Sequence, residues 1–195
     1  MLKEIQMDML FNCRLPKTYF DSRGNKCEGW VKGQSRGNYK YDPPIGWIGI
    51  GLKVIDMYDS KNIWIGKNNS EGEWAVAYHG IGRGGYPSNE IKKIIGIILM
   101  GGFKEGRNQI HKNCEDINHP GKKVGNGVYF TSSIKEAEDY AGIIEINGKK
   151  YKTILMVRVK PSSIRKCNCH YIGELFVVNG ISEEVRVYRI LFKPY

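Results

Sequence analysis

A few residues of this chain have the types and spacing to handle a flat, charged small molecule. His79 and Gly80 close a short apolar run that begins at Trp74. A histidine there can hydrogen-bond a ligand, and a glycine lets backbone N–H and C=O groups approach one. Tyr129 and Tyr140 lie 11 residues apart. A strand, a turn and a helix of that length can set two phenols on either side of a flat ring, stacking on it and excluding water. Glu184 directly precedes the run Val185-Arg186-Val187-Tyr188, with Glu183 beside it. A carboxylate beside a ligand can stabilise a developing cation and orient a hydroxyl acceptor. Side chains alternate along a strand, so only one of the two glutamates can face a given cleft. Lys104, and more weakly Arg83, offer cations that would match a phosphate-bearing ligand.

Two other groupings hold metal-ligand types: Cys167-Asn168-Cys169-His170 and His111-Lys112-Asn113-Cys114. Neither contains a CxxC pair, and the first is a poor chelate for a tetrahedral ion, so no metal is expected. Cysteine is present five times, an odd number, and the first residues carry Lys3, Glu4 and Asp8 where a secretion signal would be apolar. These features predict reduced thiols and an intracellular protein, cytoplasmic or nuclear. The longest apolar stretch, Ile94 to Met100, is too short to span a bilayer, so no membrane role is expected. The glycine-rich loop after His79 is neither a Walker nor a Rossmann fingerprint.

The elements that must position these groups can be read from pattern. Residues 1–42 are mixed and weakly periodic, which predicts a loop-rich N-terminal extension; the domain proper is expected over 43–195. Residues 47–54 read as a buried, tightly packed segment of ambiguous secondary structure. Trp74 to His79 reads as a strand. Ser88 is positioned to cap a helix that runs to Met100, with Ile91, Ile94, Ile95 and Ile98 on one face, and Gly101-Gly102 ends it. Residues 104–125 read as a long polar loop, a length that usually signals function or mobility. Strands follow at 127–131, 152–160, 174–178 and 185–193, with a helix from Ser132 or Ser133 to Ala141.

Four blocks in this order resemble the catalytic domain of the poly(ADP-ribose) polymerase and diphtheria-toxin-like ADP-ribosyltransferases. They are Tyr78-His79-Gly80; Ile97 to Lys104; Gly127-Val128-Tyr129-Phe130 followed by Ala137 to Ala141; and Glu184 to Tyr188. The flanking Pro43-Pro44 and Gly72-Glu73-Trp74 text is similar to a subgroup from lower eukaryotes. The resemblance covers roughly residues 73–194. It implies an α+β fold, a split antiparallel or mixed sheet with short flanking helices. It implies NAD as co-substrate, and transfer of ADP-ribose, most simply one unit, to a protein side chain.

By resemblance, His79 donates a hydrogen bond to the adenosine-side ribose, and the Gly80 backbone pairs with the nicotinamide carboxamide. Tyr129 and Tyr140 sandwich the ring. Glu184, or Glu183 in its place, is the catalytic acid. Lys104 and Arg83 lie toward the pyrophosphate or adenosine end.

Two departures stand out. Ala137 occupies the position of a family serine whose hydroxyl contacts the carboxamide; Thr131, Ser132 or Ser133 would have to substitute. Between His79 and Tyr129 the chain is also longer than the family pattern, and the extra length falls in loop 104–125, expected beside the adenine side. No Glu-x-Glu occurs near the last strand, Ser182 holding its first place, so the chain follows the His-Tyr-Glu branch. The formal net charge of +10 keeps nucleic acid open as a partner or acceptor. A relative that binds NAD, ADP-ribose or a protein without transfer is the alternative that Ala137 motivates.

Overall fold

A computed structural model describes residues 1–25, 34–105, 110–168, 173–179 and 183–195. Its elements in chain order are α1 (Leu2–Asn12), β1 (Ser35–Arg36), β2 (Tyr39–Lys40), β3 (Ile48–Gly51), β4 (Ala75–Gly80) and α2 (Ser88–Gly101). Then come β5 (Val128–Thr131), α3 (Ile134–Asp139), β6 (Ile143–Ile146), β7 (Lys149–Val159), β8 (Arg165–Lys166), β9 (Leu175–Val178) and β10 (Val185–Pro194). The protein is a mixed α+β fold. Its main sheet has the order β3-β10-β7-β4-β5-β9-β8, with β6 on β7, and the pairings among described strands are antiparallel.

The long strand β7 organises this sheet. Ile154, Leu155, Met156, Val157 and Val159 are all buried, as a strand covered on both faces requires. One edge of β7 carries β10 over residues 151–159; the other carries β6 and then β4. The β6–β7 hairpin turns at Asn147-Gly148, both with positive φ, the geometry of a type I′ turn. The first strand of that hairpin, Ile143–Ile146, is not among the strands read from the sequence.

The N-terminal extension contains a helix that the sequence reading did not single out. Ile5 and Met9 on α1 and Cys13 just after it recur every four residues, are buried and belong to the main core. Charges at Lys3, Glu4 and Asp8 hide that periodicity in the sequence. Gly96 lets α2 close on this helix: a Cβ there would meet the Cys13 backbone. A buried Lys92–Asp8 ion pair of 2.7 Å joins α2 to α1, and Lys92 also donates to Glu145 O at 2.6 Å. Farther along, Arg36 and Arg158 approach the same buried carboxylate, Glu73 Oε1, at 3.6 and 3.4 Å.

The Ser88 hydroxyl does not cap α2. It accepts from Glu145 N at 2.8 Å instead, while Gly102, at φ +78, ends the helix as expected. No helix among the described residues is long and apolar enough to cross a membrane.

Candidate functional site

The sheet is nearly split between β4 and β5. They pair only through Tyr78 and Thr131, whereas β4 pairs with β7 along its whole length. Where the strands part, a cavity of about 180 Å³ opens. His79 and Gly80 line it from β4, Tyr129 and Thr131 from β5, Glu136, Ala137 and Tyr140 from α3 and its end, and Ile110 and His111 from the long loop. The volume suits one ring rather than a whole dinucleotide.

His79 spans the seam. Its Nδ1 lies 2.9 Å from the Tyr129 carbonyl oxygen, which can only accept, so Nδ1 carries the proton. Burial pushes the His79 pKa below its ordinary value of 6.5, against the opposing effect of that carbonyl. The ring is therefore neutral near pH 7, and Nε2 presents a lone pair. A ligand hydroxyl could donate to it. Phe103 and Phe130 hold the ring from two sides, at centroid distances of 5.1 and 5.4 Å.

Tyr129 and Tyr140 are brought to the same cavity, as their spacing predicts. The Tyr129 hydroxyl is buried and, among the described residues, makes no hydrogen bond of good geometry, with the His111 backbone close by. Burial, followed by the nearby Cys114, raises its pKa, while the His111 backbone acts the other way. A buried hydroxyl without such a bond at a cavity wall is a place where a ligand atom can be satisfied. Arg83 lies over the Tyr140 ring, 4.6 Å from its centroid, which extends the aromatic wall with a cation. Lys104 follows Phe103 but is exposed and does not line the cavity.

Gly80 has a second reason to be glycine. A Cβ there would run into the Ala137 carbonyl and lie 2.7 Å from the Tyr140 backbone carbonyl carbon. The end of α3 thus packs directly on the end of β4, and this contact sets the depth of the slot.

Glu184 does not join the other groups. Val185 pairs with Val159, the same β7 residue that pairs with Ala75, while Gly80 pairs with Ile154. Glu184 therefore sits beyond the far end of β4, roughly 20 Å along the strand direction from Gly80 at about 3.4 Å per residue. Its carbonyl accepts from Lys160 N there, and neighbouring Glu183 is exposed. Ser182 lies outside the described residues.

The carboxylate that does line the cavity is Glu136, buried at 5% exposure. Its Oε2 accepts from Thr131 Oγ1 at 2.6 Å and from Gly173 N at 3.3 Å. Glu174, at the start of β9, is ion-paired with Lys166 instead. Ser133-Ile134-Lys135-Glu136 is the Ser-x-x-Glu signature of a helix start, and Ser133 Oγ indeed accepts from Glu136 N at 3.3 Å. That capping role masks the side chain's second use. The hydroxyls that could stand in at Ala137 each have one partner already. Thr131 is engaged with Glu136, Ser132 accepts from Glu174 N at 2.9 Å, and Ser133 caps α3.

No family model matches this chain, and no curated protein does.

The long loop behaves as a built wall. Asp116, 1% exposed, accepts from Lys166 N and Asn118 N, both at 3.0 Å, and lies 2.6 Å from His119 Nδ1. Burial works to raise its pKa, but the His119, Lys166 and Asn118 bonds outweigh burial and hold it below 3.8. The wall brings together the two metal-ligand groupings that the sequence keeps apart. Ligand atoms of His111, Cys114 and Cys167 all lie within 4.8 Å of one another. Cys13 is a buried thiol, and Cys27 lies outside the described residues. Cys169 and His170 lie outside the described residues.

Proposed function

We propose that this chain is an ADP-ribosyltransferase-type domain that binds NAD at the β4–β5 seam and passes its ADP-ribose to a protein side chain. One observation carries the reading. An imidazole, two phenols and a buried carboxylate converge on a single ring-sized cavity, and three of those four groups answer to the family resemblance. The nicotinamide ring would enter between Tyr129 and Tyr140. His79 Nε2 would accept from a ribose hydroxyl, and Arg83 would lie toward the phosphates.

In the transfer, the bond from ribose to the nicotinamide nitrogen breaks and its electron pair leaves with nicotinamide. The ribose becomes oxocarbenium-like until an acceptor nucleophile adds and releases its proton. A carboxylate at the cavity wall stabilises that cation. With Glu184 remote from the cavity, the role passes to Glu136. Label transfer from radiolabelled NAD tests this. Glu136→Gln keeps an oxygen acceptor for Thr131 and should lose transfer at least tenfold while still binding NAD. Glu184→Gln should transfer normally. Full activity in Glu136→Gln together with loss in Glu184→Gln would reject the assignment.

The second reading is a domain that binds NAD or ADP-ribose without transfer. Ala137 favours it, because a carboxamide bound there without a hydroxyl at this position loses a bond worth about 1 kcal/mol. Calorimetric binding without label on any protein or nucleic-acid acceptor would support it.

A further inference from the structure

We infer that the cavity at the β4–β5 seam selects a positively charged ring, and that Glu136 is the residue that makes the selection. The inference deepens the reading of this cavity as a ring slot and rests on it. Buried charges in proteins are paired or hold a metal. Three acidic side chains among the described residues are buried: Glu73, Asp116 and Glu136. Glu73 Oε1 has the Arg158 and Arg36 guanidinium groups at 3.4 and 3.6 Å, and Asp116 Oδ2 lies 2.6 Å from His119 Nδ1. Glu136 bonds no basic side chain among the described residues. Its Oε2 accepts from neutral donors, the Thr131 hydroxyl and the Gly173 amide. Its charge reaches His111, an imidazole that burial disfavours in the charged form. The buried carboxylate that lacks a cation is thus the one that lines the cavity.

The rest of the lining suits the same ligand. Tyr129, Phe130 and Tyr140 supply aromatic rings, and the face of such a ring attracts a cation. His79 is held neutral by burial, so it brings a lone pair and no competing charge. Arg83 lies over Tyr140 but is exposed, so water and salt screen it, while the buried carboxylate is screened far less. A cationic ring gains attraction to Glu136, a neutral ring of the same shape gains packing alone, and an anionic ring meets repulsion. When the ribose–nitrogen bond of NAD breaks, the ring loses its positive charge. The nicotinamide that must leave is then held less tightly than the ring that entered.

The test uses two compounds of one shape and different charge. Nicotinamide methylated at its ring nitrogen is a cation; meta-methylbenzamide has carbon in that place and is neutral. In chemical-shift titrations of the intact chain, the cation should bind about tenfold more tightly or better, and NAD should displace it. Glu136→Gln, with circular dichroism confirming its fold, should bring the two affinities to within about twofold. The wild-type comparison decides even if the variant does not fold. Equal binding of the two compounds, tighter binding of the neutral one, or binding of neither overturns the inference. So does a folded Glu136→Gln protein that keeps the full preference. Label transfer is a separate readout. A clear preference in a chain that neither binds NAD nor transfers label would reject the proposed function and leave a site for another organic cation. Transfer without the preference would reject the charge selection alone.

Discussion

His79 Nδ1 and the Tyr129 carbonyl oxygen are 2.9 Å apart across the seam where β4 and β5 separate. This one bond joins the two strand ends that frame the cavity, and it fixes which imidazole nitrogen remains for a ligand. The site is thus made by an interruption in sheet pairing, closed again by a side chain.

The first prediction concerns acid. The folded His79 has a pKa below 6.5, so on acidification the unfolded chain takes up its proton first. The His79 contribution is constant above about pH 6.5 and falls as pH drops from there toward the lowered folded value. His79→Asn retains a donor for the Tyr129 carbonyl but cannot titrate. Urea midpoints across this range should fall less steeply in the variant than in wild type. Parallel curves would mean that His79 is not the group responsible.

Stacking gives the second. Tyr140 is only partly buried and Arg83 covers its outer face. Tyr140→Ala should weaken NAD binding by about 0.5–1.5 kcal/mol, a few-fold to roughly tenfold, with little loss of stability. Isothermal calorimetry paired with thermal melts reads both quantities. Unchanged affinity would remove Tyr140 from the site.

For Tyr129 the hydroxyl itself can be tested. It makes no hydrogen bond of good geometry with another described residue, so Tyr129→Phe should cost the unliganded protein less than about 0.5 kcal/mol. If a ligand satisfies that oxygen, affinity should fall by about 1 kcal/mol at the same time. A destabilised variant would show that the hydroxyl is already bonded within the protein.

Gly80→Ala separates packing from ligand contact. A Cβ at this position collides with backbone of α3, which cannot yield as a flexible side chain would. The expected cost is about 1–3 kcal/mol of folding stability with no ligand present. A neutral change in urea unfolding would place the reason for this glycine in ligand approach alone.

The last concerns the loop wall. Asp116→Ala strips three donors of a buried acceptor and should cost about 1–3 kcal/mol, read by chemical denaturation. Acid should do the same to wild type. Because the folded pKa of Asp116 is lowered, its contribution holds above about pH 4 and is lost as pH falls through the folded value.

How much of this was written in the chain can be argued residue by residue. The α2 stripe, the glycines that end it, and the strands carrying His79 and Tyr129 are local patterns, legible because period and punctuation are properties of neighbouring residues. The gap between Tyr129 and Tyr140 spans one strand, one turn and one helix, so it too was readable. Three things were not. Glu184 starts the last strand as expected, but the register of β10 on β7 puts that start at the end of the sheet away from Gly80. Glu136 stands in a helix-start pattern, and nothing in that local pattern points to a cavity. His111 and Cys114 meet Cys167 only because Asp116 clamps the loop to the strand carrying it. Register and loop docking are long-range choices, made by the burial of β7 and a few charged hydrogen bonds. Spacing along the chain fixes which residues an element contains, and tertiary packing decides which ends of those elements face one another.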